Sequence, residues 1–262
     1  MFFDSHCHLD DPRLRPRLPE LLSDAETAGV AGFLVPGVHP DGWPGIAEIS
    51  RAFPRVLPAF GVHPMHAALL TPAVESKLRR LSRSATAIGE IGLDYALATP
   101  CRDLQQRAFR TQLKIAAEAG LPVLIHCRKA FGDLLAILKE ERVGRIGGVM
   151  HAFSGSPETA RDCVRLGLHL SLAGSVTYPN AVRPPAVAAS VALERLLLET
   201  DAPDLAPEPY RGMVNLPAYL LATAGRVAAI RGLPLDELAR VTTANAARLF
   251  TRRWSPPPEG EG

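Results

Sequence analysis

Six side chains in this sequence are of the kinds that hold metal ions and move protons: His6, His8, Glu90, His126, His151 and Asp201. They are far apart in the chain, yet all lie at or near the ends of short apolar runs. His6 and His8 fall in FFDSHCHLDD, Glu90 in TAIGEIGLDY, His126 in PVLIHCR, His151 in GGVMHAFSG and Asp201 in RLLLETDAP. In a β-strand, residues i and i+2 share a face, so His6 and His8 project together while Cys7 turns away. Two imidazoles with carboxylates at hand suit a divalent metal. One histidine closing an apolar run is an ordinary buried, hydrogen-bonded residue. Four of them with a glutamate and an aspartate on one rim would be costly to bury without a cation. The set also exceeds the need of one tetrahedral catalytic ion, which takes three protein ligands and keeps an open position. It suits two ions about 3.5–4 Å apart with a carboxylate between them. Glu90 is the natural bridge. His6, His8, Glu90 and Asp201 are then assigned to one ion, and Glu90, His126 and His151 to the other.

These residues meet only if the fold brings strand ends together. Strand-like runs are expected at residues 2–7, 32–36, 55–62, 86–91, 122–126, 147–151, 168–172 and 195–200, with helical patterns between them. The clearest helix runs from Leu104 to Ala119. It stops at Gly120, and Pro122 follows, a left-handed cap and a proline stop. Helices are also expected over 216–229 and 234–249. Eight strands alternating with helices predict an α/β chain folded as a single-domain (β/α)8 TIM barrel, whose active site lies at the C-terminal strand ends. An open doubly wound sheet is the runner-up, weakened by the lack of a G-x-G-x-x-G turn after the first strand. Residues 1–252 are assigned to the barrel. Residues 253–262, which include SPPPEGEG, are assigned to a disordered tail.

Composition narrows the function classes. The 262 residues can bury a large core without disulfide staples. The four cysteines show no paired spacing, which argues against a disulfide framework or zinc knuckle and points to a reducing cytosol. Neither a signal-peptide pattern nor a long apolar span is evident, so a cytoplasmic protein away from membranes is expected. A formal net charge of +2 argues against a broad duplex-binding surface but leaves room for a small phosphate site.

The motifs DSHCHLD, GVHP, IGEIGLDY, LPVLIHCR, MHAFSG, LETDAP, RGMVNLP and TTANAARLF stand in the order seen in TatD-type metal-dependent hydrolases. The resemblance covers about residues 2–250. It implies an amidohydrolase-like barrel and a divalent-metal-dependent deoxyribonuclease, often a 3′–5′ exonuclease on single strands. All six ligand positions match the family pattern. The segment CRKAF departs from it, since Lys129 stands where the family commonly has an acidic residue.

The expected reaction is phosphodiester hydrolysis supported by two divalent ions: zinc, manganese, magnesium, iron or nickel. Asp201 is assigned as general base and Glu90 as the catalytic bridge. His63, Arg211 and Arg128 are the candidate phosphate contacts. Glu199, two residues before Asp201, is weighed as a carboxylate behind a ligand histidine against an ordinary buried acid. Cys7 and Cys127 are read as packing thiols, and His39 and His169 as surface or core residues. DNA is the expected partner, as single strands or strand ends, with the chain acting as a monomer. The alternative is a two-metal hydrolase of ester, amide, lactone or aminoacyl-RNA bonds. Such barrels can bridge their ions with a modified lysine, but no lysine falls in any candidate strand.

Overall fold

A strand covered on both faces reads as an unbroken apolar run, and the runs above take that form in the computed structural model, which describes residues 1–250. The strands are β1 (Phe2–Asp4), β2 (Val30–Val35), β3 (Val56–Phe60), β4 (Ala87–Asp94), β5 (Val123–Arg128), β6 (Gly148–Met150), β7 (Leu168–Leu172) and β8 (Leu196–Leu198). Each pairs in parallel with its sequence neighbour, and β1 meets β8 through Asp4 and Leu198. Within the described residues the sheet is therefore a closed eight-stranded barrel and not an open sheet. The expected tail lies outside the described residues.

The connections carry helices α1 (Leu18–Thr27), α2 (Trp43–Ala52), α3 (Pro72–Leu81), α4 (Arg102–Ala119), α5 (Phe131–Glu140), α6 (Pro157–Arg165), α7 (Arg183–Ser190), α8 (Leu220–Arg231) and α9 (Leu235–Leu249). Gly120 ends α4 in the left-handed region, at φ 61°, and its N–H caps the carbonyls of Ala116 and Ala117. The helix expected from residue 216 opens instead as a 3-10 turn, Pro217–Tyr219, before α8. Two apolar clusters fill the fold. Phe3, Leu34, Leu57, Leu124, Val149 and Leu197 pack together with Ala246 and Phe250 from the end of α9. A larger cluster, including Phe33, Phe60, Ile88, Ile125 and Leu170, packs with the helix faces.

Several strand ends differ from expectation. β1 stops at Asp4 rather than Cys7, although the chain stays stitched to its neighbours. Ser5 N donates to Leu198 O, Cys7 N to Leu34 O and His8 N to Ala202 O. β4 runs on to Asp94 and β5 to Arg128, because the two keep pairing to the register Asp94–Arg128. Gly92 makes this approach sterically feasible. Its φ is +146°, and a Cβ there would lie 2.0 Å from the carbonyl oxygen of His126.

Candidate metal centre

The seam between β1 and β8 builds the first donor group. Asp4 accepts from Thr200 N at 3.0 Å and from Thr200 Oγ1 at 2.5 Å. Burial pushes the Asp4 carboxyl up to about 7 in spite of these bonds. Beyond the strands, Asp201 N donates to His6 O at 2.9 Å and His8 N to Ala202 O at 2.8 Å. Asp201 itself sits in the left-handed region, at φ 56°, a conformation that aspartate tolerates better than most residues. These links bring four donors together. His6 Nε2 lies 3.3 Å from His8 Nε2 and 3.3 Å from Glu90 Oε2. Asp201 Oδ1 lies 3.4 Å from His8 Nε2 and 3.6 Å from His6 Nε2. Ligands held about 2.0–2.1 Å from a tetrahedral ion stand about 3.3–3.4 Å apart, so the His6–His8 and His6–Glu90 spacings fit a shared cation, with Asp201 set against both rings.

The second group meets the other oxygen of Glu90. Oε1 lies 2.9 Å from His126 Nδ1 and 2.9 Å from His151 Nε2, and these two nitrogens are 3.3 Å apart. Each ring has a carboxylate behind it. Asp94 Oδ2 is 3.4 Å from His126 Nε2, and Glu199 Oε1 is 3.4 Å from His151 Nδ1. Asp94 is placed to hold the outer ring proton of His126 and leave its inner lone pair facing the site, whereas Glu199 lies beside His151 Nδ1 without a formed hydrogen bond. Glu199 is fully buried and also accepts from Ala152 N at 2.6 Å. His63 Nε2 approaches Glu90 Oε1 at 3.5 Å. Its Nδ1 accepts from Met65 N at 3.1 Å, so the ring proton belongs on Nε2. His63 therefore faces the cluster as a donor, where a metal ligand would need a lone pair.

Electrostatics agree with a cation-binding centre. Burial pushes the Glu90 carboxyl up, but His151, His63, His6 and His126 together outweigh it and hold the group well below the usual carboxylate range. Burial opposes protonation of His8, yet its bond to Asp201 and the nearby carboxylates raise it to about 9. Burial drives His63 down to about 3, so it is neutral at physiological pH. Carboxylates and imidazoles that share protons in this way are groups whose protons a divalent cation displaces on binding.

The structure thus brings together His6, His8, Glu90, His126, His151 and Asp201, with His63 beside them. All but His6, which is fully buried, line a cleft of about 430 Å³, whose wall also includes Asp10, Asp11, Pro12, Val38, Met65 and Asp204. Arg13 spans that wall, bonding Asp11 and Asp204. Arg128 and Arg211 do not line the cleft. Arg128 ends β5 with an exposed side chain, across from Asp94. Arg211 lies over the Tyr178 ring, 4.3 Å from its centroid, with Glu208 3.9 Å away. Cys7 is buried in the core and Cys127 packs against it. Asn215 ties the loop after β8 by donating to Thr200 O and Asp204 O. Sequence reasoning missed Asp94. The signal was present in GEIGLD, where Glu90, Gly92 and Asp94 alternate along one strand face.

A closed (β/α)8 barrel with clustered histidines and carboxylates on and after its strands at one end defines a metal-dependent hydrolase of the amidohydrolase-like class. More narrowly, the chain belongs to the TatD family, since the family model "TatD related DNase" matches residues 3–251. It is 37% identical over 252 residues to the uncharacterized metal-dependent hydrolase YabD of Bacillus subtilis, covering 95% of this chain and 99% of that protein. It is 36% identical over 247 residues to the 3′-5′ ssDNA/RNA exonuclease TatD of Cronobacter sakazakii, covering 90% and 93%. The crystal structure of YjjV, a TatD homolog from Escherichia coli K12, superposes with a TM-score of 0.91 at 32% identity, covering 95% and 98%. No helix among the described residues is long and apolar enough to cross a membrane.

Proposed function

We propose that this hydrolase is a nuclease that removes nucleotides from the 3′ end of single-stranded DNA. The observation that carries the reading is the division of labour at Glu90. Its two oxygens face two separate donor groups, while His63 presents an N–H to the same cleft. Divalent ions bound in such a site would supply an acidified water and polarise a phosphoryl oxygen. His6, His8, Glu90 and Asp201 would hold one ion, and Glu90, His126 and His151 the other. Asp201, at the edge of its group and partly open to the cleft, is the acceptor for the proton of the attacking water. His63 donates to the phosphate, neutral but fixed in its donor tautomer. Arg211 and Arg128 contact phosphates further along the strand, outside the cleft wall. The exonuclease named among the relatives supports the substrate class. The four free cysteines support a cytoplasmic setting.

The test is a screen of metal-loaded protein on end-labelled single strands, an aryl phosphodiester and an aryl ester. Stepwise shortening from the 3′ end, abolished by a chelator and restored by a divalent ion, is expected. Ester cleavage without phosphodiester cleavage would replace the nuclease reading with the carbonyl-hydrolase one.

A further inference from the structure

We propose that Gln105 and Gln112 of α4 are positioning residues for the metal centre, one acting on each side of Glu90. Both are almost wholly buried, at 1% exposure, where an amide must find partners. They are seven residues apart, two turns of helix, and so share a face. Each amide grips one backbone residue beside the site from both sides, with a further bond from Gln105 Nε2 to Pro100 O and from Gln112 Nε2 to Ala108 O. Val62 N donates to Gln112 Oε1 at 2.7 Å, and Gln112 Nε2 donates back to Val62 O at 3.0 Å. Asp94 N donates to Gln105 Oε1 at 2.8 Å, and Gln105 Nε2 donates to Asp94 O at 3.0 Å. These are bonds a neighbouring strand would make, supplied where β3 has ended and where β4 ends.

What lies next in each chain segment gives the grips their meaning. Val62 precedes His63, whose Nε2 faces Glu90. Asp94 faces the outer nitrogen of His126, whose inner nitrogen faces Glu90. One helix therefore spaces the backbones of Val62 and Asp94, with about 10 Å of helix rise between the two amides, while the rings of His63 and His126 meet edge-on at 4.4 Å between centroids. Gln105 acts on the second ion through Asp94 and His126. Gln112 acts on the proton-bearing face of His63 through Val62.

The inference about Gln105 rests on the two-ion reading, whereas that about Gln112 can be read without metal. Gln105→Met and Gln112→Met keep the side-chain length and delete the amide. Calorimetric zinc titration of stripped protein reads the ions, and the ring-nitrogen NMR spectrum of the same protein reads the His63 tautomer. Gln105→Met is expected to weaken one zinc step by about 10–100-fold, the range for partners of ligand residues, and to leave the other within about 3-fold. Gln112→Met is expected to leave both zinc steps within about 3-fold and to blur the single Nε2–H signature of His63. Leu113→Ala, on the buried face of the same helix, serves as a packing control that lowers the melting temperature and moves neither readout. If the Met variants do not fold, Gln105→Glu and Gln112→Glu carry the test. They keep the shape, burial favours their protonated form, and the same readouts should shift by less. The inference is overturned if folded variants leave zinc binding and the His63 spectrum unchanged, or if Leu113→Ala moves them equally. A wild-type protein that binds no zinc would instead remove the two-ion reading, and the spectrum would still judge Gln112.

Discussion

Glu90 and Glu199 are both buried glutamates touching His151, and the structure separates them by what else they meet. Glu90 faces both donor groups, whereas Glu199 lies behind the stacked rings of His151 and His6 and accepts from Ala152 N. Glu90→Gln should abolish activity by several orders of magnitude and release metal. Glu199→Gln should cost about 10–100-fold with metal retained. Activity assays paired with metal analysis of both variants check this, and equal losses would mean the bridge has been misplaced. At this scale the sequence was unusually legible. A histidine or acid closing an apolar run stands out because the run explains every neighbour except it. The partners behind the ligands were harder to see. Asp94 sits within a motif that Glu90 already seemed to explain. The tautomer of His63 depends on the Met65 N–H, a backbone contact that residue types alone do not reveal.

Among the elements, β4 carries the most constraint, because it supplies both Glu90 and Asp94 and needs close contact with β5. Gly92→Ala should destabilise the protein by about 3 kcal/mol or more, since the new methyl meets His126 O and the backbone angle disfavours any L side chain. Urea unfolding of stripped protein measures this without the contribution of bound metal. β7 offers a pH-dependent test. Burial, with Arg195 and Arg248 adding to it, lowers His169 to about 4. Its unfolded value is near 6.5, so between those values the unfolded chain binds the proton and stability falls as pH drops. The total is on the order of 3 kcal/mol. Comparing wild type with His169→Gln at pH 7.5 and pH 4.5 should show a smaller acid loss in the variant. The alternation of strands and helices was legible from apolar periodicity, and Gly120 marked the end of α4. Strand limits were not. Whether β1 ends at Asp4 or Cys7 depends on which neighbour accepts each N–H, and that is settled by strands some 30 and 200 residues away.

At the scale of the whole molecule, a net charge of +2 and a cleft walled partly by Asp10, Asp11 and Asp204 leave little electrostatic grip on a long polyanion. Affinity for single strands should therefore vary shallowly with salt. Two or three phosphate contacts at about 0.7 each predict a log–log slope no steeper than about −2. Fluorescence titration with a labelled oligonucleotide across a salt series reads the slope directly. The closure of the barrel through Asp4 and Leu198 has a consequence for how the protein is made. On a ribosome, His6, His8, Glu90, His126 and His151 emerge in that order before Asp201, which reaches its place only when the last strand closes on the first. A nascent chain therefore passes through a stage with every donor of one group and three of the four of the other. The seam thus makes Asp201 the last residue to join the full centre.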